Sequence, residues 1–447
     1  YQAFSTRASD QGITDKKWDN ADLLVEILQL RQKKAQLLGF EHYADLSLQT
    51  KMAESYDEVI NFLTELATKA QSAAKQDVQQ LRQFASEEGF GEELAAWDVA
   101  YYSEKLKQKK YQISEQELKP YFAENNVVQG LFKIVEKLYQ IKITQFEDGV
   151  ELWNEDVKFF QIHDAKGQLC GKFYLDLYTR TGKRGGAWMD VCVNRYRIKG
   201  KIQHPVAYLT CNLTPPVGEE PALFTHNEVI TLFHEFGHGL HHMLTKVDVP
   251  EVSGISGVEW DAVELPSQFM ENYCWEKEAL DLFAQHYKTS EPLSDDLYQK
   301  MIKAKNFQSA MQMLRQIEFS LFDMEIHKKT DINSAVQVQQ TLDQIRARIA
   351  VMIPPAFNKF QNSFTHIFAG GYAAGYYSYK WAEVLSADAF SAFEKEGIFN
   401  QQTGIRFLNC VLQQGGSRLA RESFECFMGR APDIEALLRH NGITVEV

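Results

Sequence analysis

The sequence predicts a mainly α-helical fold with one small β-sheet, and three observations carry that prediction. Long stretches such as 57–90, 306–327 and 335–352 are rich in helix-forming residues and space their apolar side chains at the helical period. One region, 157–215, breaks that rhythm with β-branched and aromatic runs separated by turn residues. The chain is also large enough to bury a sizeable core: 447 residues, 45% hydrophobic and 24% charged.

Residues 1–150 read as helical. Asp22 is expected to cap a helix over 23–38, with Gly39 suited to the position just past its end. Residues 151–215 hold the small sheet. The runs 157–162 and 169–178 flank the turn Asp164-Ala165-Lys166-Gly167 and predict a hairpin, and 205–213 supplies another strand. The glycine-rich 182–186 lacks both the Walker and the Rossmann spacing, so it reads as a mobile loop. Residues 216–447 return to helix. No linker, repeat or low-complexity tract divides the chain, which is expected to form one unit.

The formal charge of −13 argues against nucleic acid or an anionic membrane as a partner. No apolar run reaches 18 residues, so no membrane span is expected. Cys170, Cys192, Cys211, Cys274, Cys410 and Cys426 are scattered without C-x-x-C spacing. They are expected to be free buried thiols in a reducing cytoplasm.

The chemistry concentrates in His234-Glu235-Phe236-Gly237-His238. Helical residues four apart share a face, so His234 and His238 can present two imidazoles to one metal ion. Glu235 is placed beside them to hold and deprotonate a water, the arrangement of a zinc hydrolase. Val229, Ile230, Leu232, Phe233, Phe236 and Leu240 make the helix half-buried, and a buried histidine pair needs a partner. A third ligand is expected from the following segment, 260–273. There Glu264, Gln268 and Glu271 recur at i, i+4, i+7 on one helical face. Glu264 would be the ligand, and Gln268 and Glu271 would orient the imidazoles. Asp261 and His241 are alternative ligands.

A second constellation runs from His366 to Tyr379. Gly370, Gly371 and Gly375 give a backbone that can move or approach a ligand closely. Tyr372, Tyr376 and Tyr379 would share one face if helical. A tyrosine stripe is more often core than catalytic, and the residues alone leave both readings open.

His-Glu-Phe-Gly-His, followed by Val263-Glu264-Leu265-Pro266-Ser267-Gln268 and Glu271-Asn272, resembles the thimet oligopeptidase family of zinc peptidases. The resemblance extends to the opening Ala3-Phe4-Ser5-Thr6-Arg7-Ala8-Ser9-Asp10, to Phe173-Tyr174-Leu175-Asp176-Leu177-Tyr178 and to Gly370-Gly371-Tyr372. It implies a zincin-type catalytic domain, with the active-site helix beside the sheet and a deep substrate cleft. One zinc ion per chain would be held by His234, His238 and Glu264, with Glu235 as general base. Tyr376 and Tyr379 would stabilise the oxyanion, Gly370 and Gly371 would form a flexible loop, and Tyr372 and His366 would contact substrate.

The implied activity is endopeptidase cleavage of short oligopeptides, including cleaved signal peptides, by a monomer in the bacterial cytoplasm. The alternatives are a dipeptidyl carboxypeptidase of the same family, or a catalytically impaired peptide-binding fragment. In zinc peptidases an edge strand aligns an extended substrate, a role expected here of 207–212. Family members carry a further N-terminal helical region, so this chain, which opens at Tyr1, is expected to be the C-terminal catalytic portion.

Overall fold

The computed structural model describes residues 1–12 and 16–443, and these form two compact units. The first comprises the described residues of 1–112, 304–381 and 438–443. The second comprises Ile113–Lys303 and Ala382–Leu437. This grouping cuts across the expected boundaries at 150 and 215, because distant stretches of chain pack together. Among the described residues, no helix is long and apolar enough to cross a membrane.

The first unit is helical. Its longest helix, Tyr56–Glu87, starts at Ser55, whose hydroxyl accepts the Glu58 N–H at 3.1 Å. It buries Val59, Leu63, Leu66, Ala70 and Ala74 and packs against the helix Ser309–Lys328, while Leu81 near its end joins Leu94 and Leu106 in a separate cluster. A fully buried leucine contributes about 2 kcal/mol, so this seam dominates the unit's core. The helix Ala335–Ile349 adds an inward arginine, and Arg346 Nε donates to the buried Glu318 Oε1 at 3.0 Å. That helix stops three residues short of the expected end because Pro354 and Pro355 follow. The helix Ala21–Leu37 begins one residue before the expected cap. Asp19, not Asp22, accepts the Ala21 N–H, at 3.0 Å. Gly39 takes φ +84° just beyond the helix end, as expected.

The second unit is built on a five-stranded mixed sheet. Its strands are β1 (Lys142–Gln145), β2 (Lys158–His163), β3 (Leu169–Tyr178), β4 (Trp188–Val193) and β7 (Val206–Leu213), in the order β1-β2-β3-β7-β4. The hairpin β2–β3 forms as expected, with Gly167 at φ +74° in its turn. A second hairpin, β5 (Tyr196–Ile198) with β6 (Lys201–Gln203), was not foreseen. Its turn is Lys199-Gly200, both at positive φ.

The strand expected to take substrate proves to be an interior one. β7 pairs in parallel with β3 on one side and antiparallel with β4 on the other. Its backbone groups are committed to the ladder, so it cannot accept a further strand. The edge beside it is β4.

Phenylalanines join the layers. Phe132 of the helix Glu124–Tyr139 lies 5.8 Å from Phe236 and 6.1 Å from Phe173 of β3, and Phe173 lies 5.5 Å from Phe236. The cysteines depart from expectation at one pair: Cys410 and Cys426 are disulfide-bonded, with Cα atoms 5.7 Å apart. Cys170, Cys211 and Cys274 are free and buried, and Cys192 is free and half-buried.

Candidate metal site

The helix His226–Met243 carries the His-Glu-x-x-His motif, and its start is fixed by a reciprocal cap. The Thr225 hydroxyl accepts the Glu228 N–H, and Glu228 Oε2 accepts the Thr225 N–H at 2.8 Å. Glu228 Oε1 also accepts the N–H and hydroxyl of Thr214, each at 2.8 Å. One carboxylate therefore ties the exit of β7 to the entry of the helix. Farther along, the helix lies over β7, β4 and β3.

Glu264 arrives from a segment that crosses this helix closely. At Gly237, an added Cβ would sit 2.5 Å from Ser267 Cα and 2.8 Å from Pro266 C, and would also strike the Pro266 carbonyl oxygen. Only glycine permits that crossing. The segment differs from the expected continuous helix: helix runs only over Leu265–Glu271, and Glu264 occupies the cap position before it. Pro266 suits the first turn of a helix but not its interior, so the helix begins there.

The result is a compact group of donors. Glu264 Oε2 lies 3.2 Å from His234 Nε2 and 3.0 Å from His238 Nε2. These three form the His/Cys/Asp/Glu group, among the described residues, whose ligand atoms could hold one metal ion. Tetrahedral bonds of about 2.1 Å place neighbouring ligand atoms about 3.3 Å apart, so the spacing fits a zinc-like ion. Asp261 and His241 lie outside the group. His241 is fully buried. Burial first, then the neighbouring His238 and His242, pushes its pKa down to about 3.

The surrounding groups set orientation and charge. His234 Nδ1 donates to Glu271 Oε1 at 2.6 Å, which turns Nε2 toward Glu264. Burial opposes a charge on His234, but hydrogen bonds to Glu264 and Glu271 overcome it and raise its pKa to about 10. Glu264 is held well below the usual carboxylate range despite its burial, because both imidazoles donate to it. Among the described residues His238 Nδ1 is buried without a hydrogen-bond partner, so the orienting contact expected of Gln268 is not made there.

Burial raises the Glu235 carboxyl. The two imidazoles and, more weakly, the nearby Met189 main chain of β4 oppose that rise. The edge strand thus passes near the glutamate, which periodicity could not show. The Ser267 hydroxyl, also missed, lies 3.0 Å from Glu264 Oε2. Its only sequence signal is a serine three residues after a cap position.

The tyrosine segment belongs to the first unit. His366 sits in the short helix Thr365–Phe368, Tyr372 and Tyr376 lie in turns, and Tyr379 lies in the first turn of the helix Ser378–Glu396. The expected helical stripe does not form, since Ala374 adopts φ +47°. The rings meet nonetheless. Tyr372 stacks on Tyr379 at 4.8 Å, Tyr376 lies 5.2 Å from Tyr379, and His366 lies 5.6 Å from Tyr376. Gly370 packs against the His366 carbonyl, which a Cβ would approach to 2.8 Å, and Gly371 follows it in the same bend. The Tyr376 phenol donates to Gln316 Oε1 at 3.0 Å, and burial pushes its pKa up to about 12.

Against known proteins, the model described as Peptidase family M3 matches residues 1–443. Oligopeptidase A of Escherichia coli (strain K12) is 55% identical over 444 residues, covering 99% of this chain and 65% of its own length. The dipeptidyl carboxypeptidase of the same organism is 33% identical, covering 96% of this chain and 62% of its own. Among solved structures, an M32 carboxypeptidase from Deinococcus radiodurans R1 shares the fold with TM-score 0.55 at 13% identity, over 94% of this chain and 73% of that one. The chain thus spans somewhat less than two thirds of the length of the curated relatives it matches.

Proposed function

The chain belongs to peptidase family M3, and on that footing we propose that it is the catalytic part of a zinc-dependent endopeptidase for short oligopeptides. The observation that carries this reading is the convergence of His234 Nε2, His238 Nε2 and Glu264 Oε2 beside the buried Glu235. The donor set of two imidazoles and one carboxylate suits zinc. A zinc ion held there supplies Lewis acidity to the attacking water and the scissile carbonyl.

The remaining work falls to the chain's own side chains. Glu235 takes a proton from the water and delivers it to the leaving amine. Glu271 fixes the His234 tautomer. Tyr379 donates a hydrogen bond to the developing oxyanion, and Tyr376 does so once its one O–H turns from Gln316 Oε1, worth a few kcal/mol of barrier. Tyr372, His366, Gly370 and Gly371 contact substrate. The substrate strand lies along β4, the edge strand on which the helix carrying Glu235 packs. Substrates are taken to be free oligopeptides, cleaved signal peptides among them, handled by a monomer in the cytoplasm.

The 33% identity to a dipeptidyl carboxypeptidase supports a second reading, removal of two residues from free C-termini. Hydrolysis of an internally quenched peptide of about ten residues, a length that spans an extended strand site, separates the two. Internal cleavage of a C-terminally amidated peptide, with one zinc per chain and loss of turnover in Glu235→Gln, is the expected result. Substantial kcat in zinc-loaded Glu235→Gln would remove the base assignment. Tyr379→Phe should lower kcat more than it raises KM, and a change in KM alone would make it a binding residue.

A further inference from the structure

The tyrosine segment is hung from one buried carboxylate. Asp323, on the helix Ser309–Lys328, exposes no surface. Its Oδ1 accepts the Ala374 N–H at 2.9 Å, and its Oδ2 accepts those of Gly375 at 2.8 Å and Tyr376 at 2.9 Å. Three consecutive amides converge on one anion because Ala374 takes the left-handed conformation. Such charge-assisted bonds are roughly twice as strong as neutral ones.

A histidine, His327, packs beside the carboxylate. Its Nε2 lies 2.9 Å from Arg31 Nη1, and arginine only donates, so Nε2 accepts. His327 Nδ1 therefore carries the hydrogen and donates to the Asp323 main-chain carbonyl at 2.8 Å, with Asp323 Oδ1 2.9 Å away. The turn is also held from its other side, where the Ser47 hydroxyl donates to the Ala373 carbonyl at 2.8 Å. Gln316, seven residues before Asp323 on the same helix, accepts the Tyr376 phenol. One helix therefore grips Tyr376 at its backbone and at its hydroxyl.

We propose that Asp323 is a positioning residue for the peptidase reaction: by fixing the 374–376 amides it sets the direction of the Tyr376 phenol. The inference rests on the oxyanion role given above to Tyr376. A carboxylate needed only for stability would, when removed, lower the melting temperature without slowing the folded enzyme.

Asp323→Asn keeps the volume and weakens acceptance, leaving at least one amide without its partner. The full chain is compared as wild type, Asp323→Asn, Tyr376→Phe and the double variant. Amide hydrogen exchange over 373–377 and steady-state cleavage of the quenched peptide are both measured. Expected are exchange at 374–376 at least ~10-fold faster with the helix His226–Met243 unchanged, and kcat down at least ~10-fold with KM within ~3-fold. The double variant should be little slower than the slower single, since both act through one phenol.

Unchanged exchange, faster exchange with wild-type kcat, or fully multiplicative losses in the double variant would each overturn the proposal. If the wild-type chain cleaves no peptide, the functional reading fails, and exchange alone then decides whether Asp323 anchors the turn. If Asp323→Asn is insoluble, Ser47→Ala takes its place, with faster exchange at 373–376 and the same coupling to Tyr376→Phe expected. Additive behaviour there counts against the proposal.

Discussion

Replacing Gly237 by alanine tests how the metal site is assembled. The new Cβ would stand 2.5 Å from Ser267 Cα, whereas ordinary contact begins at 3.4 Å, so the two backbones must separate by about 0.9 Å. Both partners are main chain, and neither can rotate away. The displaced segment begins at Glu264, whose Oε2 must stay 3.0–3.2 Å from two imidazole nitrogens. Metal–ligand bonds tolerate about 0.2 Å, several-fold less than the imposed shift. Strain from overpacking should cost about 1–3 kcal/mol of stability. Zinc affinity should fall at least about tenfold, the lower range for disturbing a ligand's support. Competition with a chromophoric chelator gives the affinity, and thermal unfolding of the metal-free protein gives the strain. A soluble Gly237→Ala protein with wild-type zinc affinity would refute the reasoning, because the helices would then part without moving the carboxylate.

Glu271→Gln weakens the hydrogen bond on His234 Nδ1, so zinc affinity should drop about tenfold while the metal-free melting temperature hardly changes. An unaltered affinity would show that the imidazole is oriented by packing alone. Asp176 of β3 is opposed by burial, but hydrogen bonds from Arg180, Lys183 and Trp153 bring its pKa down to about 2, from 3.8. A depressed carboxylate stabilises the fold above its unfolded pKa, and that stability is lost as pH falls from about 4 to about 2. Asp176→Asn leaves the buried Lys183 without its charge partner and should cost about 3 kcal/mol at neutral pH, a deficit that shrinks across that acid window. Parallel stability profiles for the two proteins would contradict it.

The helix bearing His234 and His238 was legible because its cap, its apolar period and its motif are all local. Glu264 was legible by spacing, but the start of its helix was not, since Pro266 overrides the i, i+4, i+7 pattern. Strand existence could be read and strand order could not: β7 reads as apolar whether interior or edge, and only pairing with β4 decides. The tyrosines were found by their recurrence, yet they meet through a left-handed bend at Ala374 that no periodicity encodes. Asp323 escaped notice because its partners lie 51 to 53 residues away. The same holds for Cys410 and Cys426, whose separation of 16 matches no familiar spacing.

The strand order has a consequence for how the site comes into being. β2–β3 is one hairpin. β4 and β7, with β5–β6 between them, make a second, and the two meet only along the parallel seam of β3 and β7. Each hairpin can close by itself, but the seam joins stretches some 35 residues apart in sequence, and parallel, non-local pairing is the slow step of sheet formation. The helix carrying both histidines lies over strands from each side of that seam. Most of its floor is the β4–β7 half, and β3 completes that floor only when the seam closes. Conditions that trap the halves apart are therefore expected to leave the candidate ligands on an incompletely supported helix, with weakened metal affinity.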